Sequence, residues 1–211
     1  MPEIETERML LRMFDHGDLD DLSLIYADAD VMQFLSGHPL TRHETAGWLN
    51  YFLAGWENFG FGWWALVLKG SGSLIGHCGI QFIHVTPEVE VTYGLAKAYW
   101  RKGLASEAAR ACLRYGFEEL NLARIYALAD PGNTGSHKVM ERVGMRYDKT
   151  EYYKDDLYEG DLIYYVISRG AHRVDDSRYE VRAVPGDDSR RKFIEAFAER
   201  KSEWAKVSGD A

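Results

Sequence analysis

A mixed α/β domain built on a single sheet is what this sequence predicts, and three observations predict it. Apolar runs with the two-residue period of strands alternate with runs at helical spacing, in the order strand, two helices, three strands, helix, strand, helix, two strands. No segment repeats another, so one unit is expected rather than an array. The 211 residues, 46% of them apolar, suit one domain with an appendage and can fill one substantial core.

The first strand is expected over MLLRMF, residues 9 to 14. DHGDLDDLSLIYAD follows, where Asp18 is placed to cap a helix and Leu19, Leu22 and Ile25 share a face. A second helix opens near Thr41, with Glu44 completing a capping-box pattern. Trp48, Leu49, Phe52, Leu53 and Trp56 form its apolar stripe, and Gly60 and Gly62 stop it. WWALVL (63 to 68) and LIGHCGIQFI (74 to 83) read as strands joined by the hairpin KGSGS. EVEVTYGL (88 to 95) alternates as a third strand, and SEAARACLRYGFEEL (106 to 120) has helical spacing. ARIYALAD (123 to 130) reads as a buried strand, and PGNTGSHKVMERVGM (131 to 145) as a turn and helix ended by Gly144. YDKTEYYKDD and LIYYVIS (162 to 168) close the sheet as a strand pair. Beyond residue 168 the texture turns polar and broken, with a helix expected over 189–207 bearing a narrow stripe of Phe193, Phe197 and Trp204. The expected division is a domain over 1–168 and an extension over 169–211, packed on it as a helical appendage.

The net charge of −8 argues against nucleic acid as a partner and favours amine-bearing ones. Residues 169–211 carry ten Lys/Arg against nine Asp/Glu, so the negative excess lies in the first 168. Cys78 and Cys112 fit neither a disulfide framework nor a metal site, and are expected to behave as small buried hydrophobes in a reducing compartment. MPEIETERML has no basic stretch leading into an apolar run, so no signal peptide is expected. No apolar run reaches the roughly 18 residues of a membrane span. A soluble, cytoplasmic protein, monomeric or homodimeric, is the expectation.

YWRKGLASE (99 to 107) joins a strand to a helix through a basic, glycine-centred turn. Such a junction gathers unpaired N–H groups and the positive end of a helix dipole, which suits an anion. From spacing alone two readings stand: a phosphate-holding nest centred on Gly103, or a plain corner with Ser106 as N-cap and Arg101 and Lys102 solvated. Neither GxxxxGK[ST] nor GxGxxG occurs. Glu88, Glu90 and Thr92 share one strand face and Val89, Val91 and Tyr93 the other, and the acidic face is open to two readings as well, solvated or catalytic.

EVEVTYGLAKAYWRKGLASEAARACLRYGF, with DPGNTGSHKVMERVGM beyond it and TERMLLR at 6 to 12, resembles the GNAT acetyltransferases, and within them the RimJ/RimL-like ribosomal-protein N-acetyltransferases. The likeness spans roughly residues 5 to 168. It implies the GNAT fold, a mixed, mostly antiparallel sheet flanked by helices, and transfer of acetyl from acetyl-CoA to a primary amine without metal. The family loop [QR]xxGx[GA] maps onto Trp100 to Ala105, with Trp100 in place of Gln or Arg. The resemblance assigns the CoA diphosphate to backbone N–H groups over Arg101, Lys102, Gly103, Leu104, Ala105 and Ser106. Tyr93, Gly94 and Leu95 would line pantetheine, with the Leu95 N–H as oxyanion donor. Asn133 and Ser136 match its NxxS beside pantetheine. Many relatives place a Tyr proton donor four residues after that Ser; this chain has Met140, which leaves Ser136 as the candidate. Glu90 is the candidate general base.

At about pH 7.5 an α-amine with a pKa near 8 loses under ~1 kcal/mol to deprotonation and lysine about 4, so a weakly placed glutamate slightly favours an α-amine. WLNYFLAGWENFGFGWW (48 to 64) holds eight aromatics, mostly core, with Trp56 and Phe59 as candidate walls of an acceptor pocket. His77 and His84 have no partner at metal-ligand spacing. The acceptor is expected to be a protein N-terminus or a small molecule such as an antibiotic or polyamine. An acyl-CoA-binding sensor without turnover is the alternative from another class.

Overall fold

The computed structural model describes residues 2–84, 86–154, 158–175, 177–182 and 187–208. The strands are β1 (Glu3–Thr6), β2 (Met9–Met13), β3 (Trp63–Leu68), β4 (Leu74–Phe82), β5 (Val89–Leu95), β6 (Arg124–Ala129), β7 (Arg146–Lys154), β8 (Glu159–Ser168) and β9 (Tyr179–Arg182). The helices are α1 (Leu19–Tyr26), α2 (Ala29–Met32), α3 (Arg42–Phe59), α4 (Leu104–Glu118), α5 (Thr134–Arg142) and α6 (Ser189–Ser208). Among the described residues they form one sheet in the order β7-β8-β6-β5-β4-β3-β2-β1-β9. Every neighbouring pair is antiparallel except β5 and β6, which α4 connects as a crossover. The mixed, mostly antiparallel sheet expected from the sequence is present, and none of the described helices is long and apolar enough to cross a membrane.

The period of two in WWALVL divides the core between the faces. Trp64 and Leu66 pack into the cluster that includes α4, with Ala108, Cys112 and Leu113. Trp63 and Ala65 pack into the one that includes α1 and α3, with Leu22, Leu49 and Phe52. Thr41 and Glu44 form the capping box, and Gly60 ends α3 in the left-handed region at φ 71°. Cys78 and Cys112 are free and buried between β4 and α4, with Sγ atoms 3.4 Å apart.

Several expectations are corrected. Asp18 stands at the start of α1 without capping it; its carboxylate takes a bidentate bond from Arg12 at 2.6 and 2.8 Å, and Asp15 caps the preceding turn. Helix α4 begins at Leu104, before Ser106, so Ser106 is inside the first turn and is no N-cap. The strand pair after Met145 begins as expected, and residues 155 and 156 of YDKTEYYKDD lie outside the described residues. Strands β1 and β9 carry no signal in the sequence, since four residues are too few to display alternation. They pair from Glu3↔Arg182 to Thr6↔Tyr179, so the C-terminal residues extend the sheet itself. Phe193 and Ala196 of α6 are buried in the larger core cluster.

Candidate functional site

Strand β5 stays paired to β4 from Val89 to Leu95 but meets β6 only at Glu90↔Tyr126, so the two parallel strands separate beyond that point. The Ala96 N–H donates to the Ile75 carbonyl at 2.9 Å. Antiparallel alternation then directs the backbone groups of Gly94 toward β4, and those of Tyr93 and Leu95 toward the gap. The Leu95 carbonyl is met there by the Trp100 indole N–H at 2.7 Å. Trp100 thus ties the turn after β5 to the end of that strand. Gly94 contributes sterically: a Cβ on it would stand 2.6 Å from Cε1 of His77.

The turn into α4 carries two left-handed residues, Arg101 at φ 59° and Gly103 at φ 77°. Gly103 is the N-cap and no side chain caps the helix, which leaves the N–H groups of its first turn turned outward. Ser106 is 1% exposed, and its Oγ has no hydrogen-bond partner among the described residues. Leu104 is a core residue and Ala105 packs against the core, so both offer backbone only. Arg101 and Lys102 are exposed, with the Lys102 ammonium 5.4 Å from the Tyr99 ring centroid. Arg8, which sequence reasoning missed, clamps the turn: it donates to the Lys102 carbonyl at 2.8 Å and to Glu107 at 2.6 Å. Glu107 also accepts the Thr6 hydroxyl at 2.7 Å, fastening α4 to the β1–β2 turn.

On the α3 side of the sheet a cavity of about 600 Å³ runs across the gap to α5. Glu90 lines it and accepts a hydrogen bond from the Gln81 amide at 2.7 Å. Glu88 is bound to the Arg124 guanidinium and does not line the cavity. Of the two candidate aromatic walls, Phe59 lines it; Trp56 faces the core, 1% exposed, its indole donating to the Trp63 carbonyl at 2.9 Å. At the far side Asn133 caps α5 by accepting from the Ser136 N–H at 3.0 Å. The Ser136 hydroxyl stands 2.9 Å from the Tyr93 hydroxyl. Burial holds the Tyr93 phenol well above its ordinary pKa, with the Ser136 hydrogen bond opposing in part. Met140, 1% exposed, lines the same space without a proton to give. The Tyr93–Ser136 pair spans 43 positions, and no sequence signal announces it.

His77 also lines the cavity, its Nδ1 2.8 Å from the Tyr26 hydroxyl. Burial pulls its pKa down to about 4, so the ring is neutral at physiological pH. An unfolded histidine titrates near 6.5. Between about 6.5 and 4 the unfolded chain takes up a proton that the folded chain refuses. The stability contributed by the neutral ring is therefore full above 6.5 and lost as pH falls toward 4, on the order of 3 kcal/mol. The urea midpoint is expected to drop across this window, and His77→Gln to flatten that part of the profile.

Comparison with known proteins bears on the family and the fold. The acetyltransferase (GNAT) domain family matches residues 8–146. The chain is 38% identical over 151 residues to the uncharacterized protein YkkB of Bacillus subtilis (strain 168), covering 70% of this chain and 87% of that one. It is 31% identical over 169 residues to the uncharacterized N-acetyltransferase YnaD of the same strain, covering 78% and 95%. Its fold matches the crystal structure of a GNAT-family acetyltransferase from Bacillus anthracis with a TM-score of 0.69 at 30% identity, covering 80% of this chain and 99% of that one.

Proposed function

The chain belongs to the GNAT acetyltransferase family, and from that premise we propose that it moves acetyl from acetyl-CoA to a primary amine by direct attack of the amine on the thioester. The observation that carries the reading is the separation of β5 from β6 beyond Glu90. It leaves one slot with a carboxylate on one face, an inward N–H at Leu95 and a hydroxyl pair on the other face.

Each residue then has a task. Glu90, aligned by Gln81, takes the proton of the attacking amine, directly or through one water. The Leu95 N–H faces the position of the thioester carbonyl and stabilises the negative charge developing there. Ser136, bonded to Tyr93, supplies the proton of the departing thiolate, in the place where Met140 offers none. Neither buried cysteine reaches the slot, so nothing supports a covalent relay. The turn at Arg101–Ser106 fits the diphosphate of the donor: an uncapped helix start, a left-handed glycine and an orphaned buried hydroxyl. Asn133 keeps its amide NH₂ available beside pantetheine while its oxygen caps α5. Within the family we place the chain in the RimJ/RimL-like branch, on TERMLLR and on Trp100 in the loop.

Titrating acetyl-CoA into the protein tests the donor. At a hundredfold excess over Kd the native state gains about 2.7 kcal/mol, read as a rise in Tm that ATP and NAD do not give. A Cβ at Gly103 would have only the Arg8 guanidinium within 4 Å, at 3.5 Å, so the first side-chain carbon of Gly103→Val meets no clash with the protein. It imposes a branched side chain on a left-handed residue and covers the turn's N–H groups. Its acetyl-CoA affinity, by calorimetry on the folded variant, is expected to fall at least about tenfold. Unchanged affinity would remove the turn from the donor site.

A further inference from the structure

We propose that Arg200, on the C-terminal helix α6, is an anion-recognising residue of the acceptor cavity, and that the acceptor is an amine that also carries a carboxylate. The inference rests on the acetyl-transfer reading above and names its substrate class.

Arg200 lines the same cavity as Glu90, though it lies beyond the residues matched by the family. Its guanidinium is 4.8 Å from the centroid of the Phe82 ring and 5.8 Å from that of Phe59, and it donates one bond to the His84 carbonyl. Arg191 on the same helix is paired with Asp188 and Glu195, whereas Arg200 has no carboxylate partner among the described residues. A guanidinium has five N–H donors, so most of the fork remains for a ligand. Stacking on aromatic faces and the carbonyl bond set its plane in advance, the arrangement that suits bidentate capture of a carboxylate.

The other charged groups lining the cavity are carboxylates. Glu90 is aligned by Gln81, and Asp130 accepts from the Gly132 N–H at 2.7 Å and the Tyr158 hydroxyl at 3.0 Å. His77 is neutral. Glu90 therefore draws the amine and Arg200 the anion, a polarity matched by an acceptor bearing both. Gln81, bonded to Glu90, and His84, bonded to Arg200, are three residues apart, which spans at most roughly 10 Å of chain. Amine and carboxylate are then several bonds apart, as in a short peptide or an ω-amino acid. A polyamine has nothing to give Arg200.

The test uses the full chain and acetyl-CoA, with release of the CoA thiol as readout. The acceptors are di- and tripeptides with free C-terminal carboxylates, the same peptides as C-terminal amides, and spermidine. The free acids are expected to exceed their amides in kcat/KM by at least about tenfold, through KM. Arg200→Gln should erase that preference by lowering kcat/KM far more on the free acids than on the amides, while Arg200→Lys, which keeps the charge without the fork, should restore part of it. An equal loss on acids and amides would reduce Arg200 to a fastener between α6 and the turn after β4. Amides or spermidine used as well as the acids by the wild type would overturn the anion site and leave acetyl transfer standing. No acetylation of any acceptor would overturn both readings.

Discussion

Glu90→Gln lowers the rate of acetylation by about 10²- to 10⁴-fold at neutral pH, with acetyl-CoA affinity unchanged. The substitution is nearly isosteric, and the amide oxygen can still accept the bond that Gln81 donates at 2.7 Å. The cavity wall and the aim of the side chain survive, while the negative charge and the ability to take a proton are lost. The deficit should narrow as pH rises through the pKa of the acceptor amine, near 8 for an α-amine, because the amine then arrives already deprotonated. Glu88→Gln serves as the control: that carboxylate is bound to Arg124 outside the cavity, and its loss should change the rate less than about twofold. A deficit below about fivefold for Glu90→Gln, or an equal one for Glu88→Gln, would move the general base elsewhere. A wild type that binds acetyl-CoA and acetylates no amine would instead support the sensor.

Phe193→Ala is expected to cost about 3–5 kcal/mol of folding stability. Phe193 is 3% exposed, with ring centroids of Phe61 and Phe197 each 5.3 Å away. The start of α6 presses on the end of α3, where a Cβ at Gly60 would stand 2.0 Å from the Ser189 carbonyl oxygen. There is little room for the truncated site to relax, so most of the cavity term should be felt. Against a total of roughly 5–15 kcal/mol this is a large share, measurable as a shift of the urea midpoint. Ile194→Ala, one position along and 58% exposed, should change the midpoint by no more than about 0.5 kcal/mol. A loss under about 1 kcal/mol for Phe193→Ala would mean that α6 unfolds independently of the sheet.

What the sequence reveals here is what short stretches encode. The capping box at Thr41 and Glu44, the stop at Gly60 and the strand over WWALVL are local, and each holds in the structure. The basic turn at Gly103 was open between a nest and a corner; the uncapped helix start and the buried, unpartnered Ser106 hydroxyl are features a solvated corner does not need. Helical spacing put Trp56 on an apolar stripe but did not say which side of that stripe meets the core and which meets the cavity. The parting of β5 from β6 is a fact about two strands some thirty positions apart, and no pattern within either strand contains it. The same holds for Tyr93 on Ser136, for Arg8 on Glu107 and for Arg200 in the cavity: each joins ordinary residues across long loops.

The pairing of β1 with β9 sets the order in which the molecule can be completed. Among the described strands Glu3–Thr6 is made earliest, and its outer partner, Tyr179–Arg182, is made latest. Until then β1 is itself an edge of the sheet, a place that β9 takes over, and the helix bearing Arg200 follows later still. The turn at Arg101–Ser106 and the β1–β2 turn that clamps it are both synthesised well before this. A chain stopped before α6 would hold the Arg101–Ser106 turn in its clamp while the cavity lined by Glu90 still lacked the wall that carries Arg200.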